Sequence, residues 1–211
     1  MKNKSPIQGV YLVTDTATQG QYDHIELTRM AIEGGVSVVQ FRDKQMPPRE
    51  AVDVIREMVT ICEHAGATLM VNDRVDLAMA AGAHGVHLGQ NDLPVREARR
   101  LMEAEKIIGG TASNLEEAQQ VELAGADYLG FGHIYPTTTK QKDYAPRGPD
   151  MLKQVCETLD IPVIAIGGID ATNAANVLEQ GAAGYAVSSA ICRADKPVDA
   201  ARELRDIFEW R

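Results

Sequence analysis

The sequence predicts an α/β fold in which eight parallel strands close into a (β/α)8 barrel. Three observations predict it. Short apolar, β-branched segments recur at intervals of roughly 20–30 residues. Amphipathic stretches of helical period lie between most of them. The chain has 211 residues, a length at which an α/β barrel commonly forms one domain.

The strand candidates, in order, are Gly9–Thr14, Val36–Arg42, Thr68–Asn72, Gly85–Leu88, Lys106–Gly110, Asp127–Phe131, Ile161–Ile166 and Gly184–Ser188. Of the helical stretches, Glu50–His64 places Val54, Ile55, Met58, Val59 and Cys62 on one face. Asn114–Ala124 opens with an N-cap residue followed by Glu116 and Glu117, which suit a helix N-terminus. Thr172–Gln180 ends at Gly181, a C′ glycine. Small pairs such as Gly34-Gly35, Ala65-Gly66 and Gly125-Ala126 fall where helices feed strands. Strands alternating with helices indicate parallel βαβ units, and eight units can close as a TIM barrel. An open doubly wound sheet is the rival arrangement. No linker or composition shift divides the chain, so residues 1–211 read as a single domain.

Hydrophobic residues make up 45% and charged residues 24%, with only 9 prolines, which excludes a disordered or collagen-like chain. The net charge is −9 and no basic run occurs, which disfavours nucleic acid as a partner. An anionic ligand therefore needs a local basic cluster acting against the global field. Cys62, Cys156 and Cys192 are far apart and form no CxxC, so they read as reduced packing residues of a cytoplasmic protein. The first residues lack an apolar stretch, and neither a signal peptide nor a membrane span is expected.

In a barrel the reacting groups gather at the carboxyl ends of the strands. The second strand reads VSVVQFRDK. Period-two alternation sends Gln40, Arg42 and Lys44 one way and Val39, Phe41 and Asp43 the other. Two cations and an amide on one side suit an anion, against the alternative of an ordinary charged strand end. Asp73 in VNDR and Asp92 in HLGQNDLP come from adjacent loops. Two carboxylates beside cations suit Mg²⁺ completed by phosphate oxygens and water. Taken singly, each reads as a helix cap or a turn former.

The long connection after the sixth strand, GHIYPTTTKQKDYAPRG, offers Thr137, Thr138, Thr139 and Lys140 as a cover over an anionic substrate. Gly167-Gly168 and Ser188-Ser189 follow strands seven and eight, where barrels often bind phosphate. His87 reads as a satisfied core histidine. His133, at the mouth of strand six, reads either as structural or as a general acid–base. His24, His64 and His84 read as helix or loop residues.

The ordered segments YLVTD, QFRDK, VNDR, GVHLGQND, GFGHIYPTTTK, PVIAIGGI and AVSSAI give the chain a resemblance to the thiamine phosphate synthase family over nearly its whole length. That resemblance implies a TIM-barrel transferase of thiamine biosynthesis that joins hydroxymethylpyrimidine pyrophosphate to hydroxyethylthiazole phosphate. It implies that Gln40, Arg42, Lys44, Asn72, Thr111 and Lys140 contact the pyrimidine pyrophosphate, with Arg42, Lys44 and Lys140 catalytic. It places Mg²⁺ on Asp73 and Asp92, and the thiazole phosphate on Thr137, Thr139, Gly168, Ser188 and Ser189. Two positions depart from the family's pattern. GGTASN stands where GxSxH is usual, so Thr111 replaces a serine and Ser113 a histidine. His133 stands where proline is frequent, a feature shared with the related thiazole tautomerase, the runner-up reading. A non-catalytic phosphate-binding barrel is a third. Oligomeric state stays open, with a homodimer allowed.

Overall fold

The computed structural model describes residues 7–15, 21–137, 139 and 143–210. The chain alternates strand and helix: β1 (Gly9–Asp15), α1 (His24–Glu33), β2 (Val38–Arg42), α2 (Pro48–Ala65), β3 (Thr68–Asn72), α3 (Val75–Ala81), β4 (Gly85–Leu88), α4 (Val95–Leu101), β5 (Ile107–Ala112), α5 (Leu115–Leu123), β6 (Tyr128–Gly132), α6 (Gly148–Thr158), β7 (Val163–Ile166), α7 (Ala174–Glu179), β8 (Gly184–Val187), α8 (Ser189–Cys192) and α9 (Pro197–Glu209). Every strand pairs in parallel with its sequence neighbours, and β1 pairs with β8 to close the barrel. The expected closed architecture is therefore observed, and the open-sheet rival is set aside.

Helix ends follow local chemistry. Asp23 and Glu26 form a reciprocal capping box at the start of α1. The Asn114 side chain accepts from the Glu117 N–H, as the sequence predicts. Gly66 ends α2 with a φ of 68°, a left-handed conformation that glycine adopts without strain. The predicted helix Thr172–Gln180 starts later, at Ala174, because Asp170 Oδ1 accepts from the Thr172 N–H and hydroxyl and winds residues 170–173 into a turn. The fifth strand runs past the predicted Gly110 to Ala112, since the ladder with β6 continues through Thr111–Gly130 and Ala112–Phe131.

Alternation splits the core into two layers. Val10, Leu12, Val39, Phe41, Leu69, Val71 and Val86 face outward and pack with helix residues such as Leu27, Ile55 and Met58. Ile7, Tyr11, Val13, Val38, Met70, Tyr128, Ile164 and Ala186 fill the barrel interior. Cys62 and Cys192 are buried, and burial raises Cys62 to about 12 and Cys156 and Cys192 to about 11, far from the reactive thiolate range. No helix among the described residues is long and apolar enough to cross a membrane.

Closure demands small residues where β8 meets β1. A Cβ at Gly184 would lie 2.2 Å from the Gly9 carbonyl oxygen. Gly184→Ala is accordingly expected to cost about 1–3 kcal/mol through forced backbone movement, read as a lower midpoint in urea denaturation.

Candidate active site

The carboxyl ends of the strands surround a cavity of about 590 Å³. One alternation class supplies its walls: Tyr11, Val13 and Asp15 from β1, Gln40 and Arg42 from β2, Asn72 from β3, His87 from β4 and Thr111 from β5. Gly130 and Gly132 of β6, with Ile164 and Ile166 of β7, keep the opposite side low and apolar.

The floor carries a chain of hydrogen bonds across the barrel. Gln40 Nε2 donates to the Tyr11 hydroxyl at 2.7 Å. The Tyr11 and Tyr128 hydroxyls lie 2.9 Å apart. Tyr128 reaches His87 Nδ1 at 2.9 Å, and His87 Nε2 lies 2.8 Å from Thr111 Oγ1. Gln40 donates at one end, and beyond it each hydroxyl and each ring nitrogen has a partner within hydrogen-bonding distance. Burial pushes the Tyr11 and Tyr128 hydroxyls well above the ordinary phenol range, so both stay neutral. The packing-histidine expectation for His87 is corrected in part: both ring nitrogens are satisfied, but the ring forms cavity wall.

Charge gathers at the rim. Arg42 forms an ion pair with Asp15, which sequence reasoning missed. The Lys44 ammonium lies 3.8 Å from Asp73 Oδ2. Lys44 shares the direction of Gln40 and Arg42 but lies beyond the strand end, with a side chain 61% exposed, so it stands at the rim and not in the cavity wall. Asp73 sits at φ 62°, an uncommon conformation for a non-glycine residue. Its carboxyl neighbours that of Asp92. Burial, then the neighbouring Asp92, raises Asp73 from 3.8 to about 6, against the opposing pull of Lys44 and Arg42. Asp92 Oδ2 also accepts the Gly89 N–H at 2.7 Å. Asp73 caps no helix: Arg74 takes the N-cap position of α3, without a side-chain cap. The two loops thus bring the carboxylates together as expected.

On the other side, Thr137, Thr139, Gly168, Ser188 and Ser189 all line the cavity. Gly168 has φ 69°, and a Cβ there would lie 2.4 Å from the Pro136 carbonyl, so the close approach of the two loops requires glycine. His133 also lines the cavity and is buried. Its ring packs near Tyr144, and Arg147 stacks over Tyr144 at 4.1 Å. Thr138 and Lys140 lie outside the described residues. Ser113, where the resemblance expects histidine, turns away: its N–H and hydroxyl both donate to Glu117 Oε2, at 2.7 and 2.9 Å.

Sequence reasoning missed Tyr11, Asp15 and Tyr128. Parity carried the information, since Tyr11 and Asp15 share the alternation of Val13 and Tyr128 that of Gly130 and Gly132.

Fold and site together define a TIM-barrel enzyme with cations and carboxylates at one side of its mouth and a hydroxyl-rich wall at the other. Residues 10–191 match the family described as thiamine monophosphate synthase. A thiamine-phosphate synthase of Chlorobium luteolum is 44% identical over 204 residues, 97% of this chain and 93% of its own. One from Chloroflexus aurantiacus is 46% identical over 196 residues, covering 93% of this chain and 90% of its own. A solved thiamine phosphate pyrophosphorylase from Pyrococcus furiosus superposes with a TM-score of 0.90 at 38% identity, over 96% of each chain. A 3-hexulose-6-phosphate synthase from Salmonella typhimurium, 19% identical with a TM-score of 0.74 over 96% of this chain and 99% of its own, shares the fold alone. The chain belongs to the thiamine monophosphate synthase family.

Tyr128→Phe interrupts the floor between Tyr11 and His87 and is expected to cost about 1–3 kcal/mol of stability by stranding buried partners, measured by chemical denaturation. The Asp73–Asp92 pair predicts a pH dependence. Because Asp73 is raised on folding, its contribution to stability is complete at low pH, where both states hold the proton. It declines as pH climbs from 3.8 through about 6. In metal-free protein, Asp92→Asn should flatten that decline, as followed by urea midpoints between about pH 4 and 8.

Proposed function

We propose that this enzyme condenses hydroxymethylpyrimidine pyrophosphate with hydroxyethylthiazole phosphate to give thiamine phosphate and pyrophosphate, with CO2 lost as well when the carboxylated thiazole is the substrate. The observation that carries the reading is the meeting of Arg42, Lys44, Asp73 and Asp92 at one rim, opposite Gly168, Ser188 and Ser189.

The residues present fit a Mg²⁺ ion. Among the described residues, Asp15 is answered by Arg42 and Asp73 by Lys44, and Asp92 adds a further carboxylate facing Asp73. A diphosphate entering such a mouth calls for further positive charge. Asp73 and Asp92 would hold the ion, whose charge, when bound, screens both the carboxylates and the diphosphate oxygens.

Gln40, Asn72 and Thr111 line the space proposed for the pyrimidine and present it with polar groups. Arg42, Lys44 and Lys140 neutralise charge on the leaving group where it develops. The C–O bond of the pyrimidine methylene breaks, and its electron pair leaves with pyrophosphate. The aminopyrimidine delocalises the resulting cation, and the thiazole nitrogen lone pair then forms the new C–N bond. Thr137, Thr139, Gly168, Ser188 and Ser189 anchor the thiazole phosphate so that this nitrogen faces the methylene. No protein nucleophile is needed, in keeping with three cysteines held far above the thiolate range.

Pyrophosphate release that requires Mg²⁺ and both heterocycles together tests the reading. Arg42→Ala, Asp92→Ala and Lys140→Ala should each lower kcat by on the order of 10²–10³, with circular dichroism unchanged. Near-normal rates in all three would reject the assignment. Metal-independent isomerisation of the carboxythiazole phosphate, abolished in His133→Ala, would instead support the tautomerase reading. Ligand binding without turnover would support the regulatory barrel.

A further inference from the structure

Behind the cavity wall, on the helix-facing side of β1 and β2, lies a buried group that the proposed chemistry does not touch. His24 opens α1 and is 2% exposed. Its Nδ1 lies 2.8 Å from Thr14 Oγ1. The Thr14 hydroxyl in turn donates to the Gln40 carbonyl at 3.1 Å. On the other side of the ring, Nε2 lies 3.3 Å from Asp43 Oδ2. The ring packs on Phe41 with centroids 4.7 Å apart. One imidazole therefore touches the end of β1, the strand face of β2 and the turn that follows β2.

Asp43 uses both its oxygens. Oδ1 accepts the backbone N–H groups of Gln45 and Met46 at 2.8 and 2.9 Å, winding the chain around Lys44. Oδ2 faces His24. The Asp43 side chain is only 5% exposed. Strand alternation points Asp43 away from the cavity and Arg42 into it, so the buried pair stands directly behind the residues that carry positive charge at the rim. A buried polar pair contributes little net stability compared with well-packed apolar side chains, and more to fixing one geometry.

We propose that His24 and Asp43 are positioning residues for the diphosphate subsite, holding the β2–α2 turn so that Arg42 and Lys44 reach one anion together. The proposal rests on the synthase reading for the identity of that anion. Its test uses inorganic pyrophosphate, so binding is read separately from turnover.

The test compares two amides at one position. In His24→Gln the amide reaches the place of Nε2 and keeps a hydrogen-bonding group facing Asp43 Oδ2. In His24→Asn it stops at the place of Nδ1 and withdraws the contact of Nε2 with Asp43 Oδ2, while Oδ1 keeps the Gln45 and Met46 N–H groups. Both lose the same ring packing on Phe41. Pyrophosphate binding in the presence of Mg²⁺, measured by calorimetry on the full chain, should weaken about tenfold in His24→Asn and stay within about threefold of wild type in His24→Gln. In His24→Asn the KM for the diphosphate substrate should rise while that for the thiazole phosphate does not move. Urea midpoints of the two variants should agree. Equal binding by the two variants overturns the proposal, as does weakening that follows the urea midpoint. If His24→Asn fails to fold, Asp43→Ala replaces it, with at least a tenfold loss expected and unchanged binding again decisive against the pair. A wild-type protein that binds pyrophosphate and shows the Gln–Asn difference, yet never turns over, would reject the synthase reading and leave the positioning role standing.

Discussion

Pairing of β1 with β8 closes the parallel sheet, and closure leaves each strand side chain only two directions: into the barrel or out toward the helices. Every group at the mouth owes its place to that constraint. Tyr11, Val13 and Asp15 look inward because Val10, Leu12 and Thr14 do not. A one-residue slip of β2 would exchange Gln40 and Arg42 for Val39 and Phe41, emptying the site and exposing the outer core at once. The outer core that packs Val39, Phe41, Val71 and Val86 against the helices is therefore also what aims the polar residues. Small residues at the seam, Gly9 and Gly184, allow the closure that the rest requires.

The mouth then faces an electrostatic problem. The chain carries a charge of −9, and the described rim pairs Arg42 with Asp15 and Lys44 with Asp73 before any ligand arrives. Asp92 adds a further carboxylate against Asp73, and burial together with this neighbour raises the Asp73 pKa. On the proposed reading, such an arrangement takes up a cation that in turn holds the anion. The same logic explains why the carboxylates come from separate loops. Their mutual repulsion is tolerated because each loop is fixed by its own backbone contacts: the Asp73 N–H donates to the His87 carbonyl, and Asp92 accepts from Gly89.

Much of this was legible in the sequence. Eight strand segments, the Asn114 cap and the meeting of Asp73 with Asp92 follow from periodicity, turn chemistry and loop order, which are local properties. The later start of α7 was less legible, because Asp170 competes with the helix for the backbone of residues 170–173. The floor of Gln40, Tyr11, Tyr128, His87 and Thr111 was hidden for another reason. Its members come from five strands, and nothing within any one segment marks a tyrosine as a link and not as filling. The alternation argument applied to β2 would have found Tyr11 and Asp15 if it had been extended to β1. His24 was less accessible still, because a histidine at a helix start reads as exposed until the ends of β1 and β2 are brought over it.

The departure at strand five can be placed in the same terms. Where the family pattern has serine and histidine, this chain has Thr111 and Ser113. Ser113 is committed to Glu117 through both its N–H and its hydroxyl, so the end of β5 serves as a local fastening for α5. A histidine there would have to give up that fastening to reach the cavity. Thr111 remains in the wall, hydrogen-bonded to His87 and in register with Gly130 of β6. On the proposed reading the pyrimidine edge is therefore met by Thr111 and by the hydrogen-bonded floor behind it. Recognition shifts from a loop-borne side chain to groups anchored in the barrel itself, which are less free to move as the diphosphate departs.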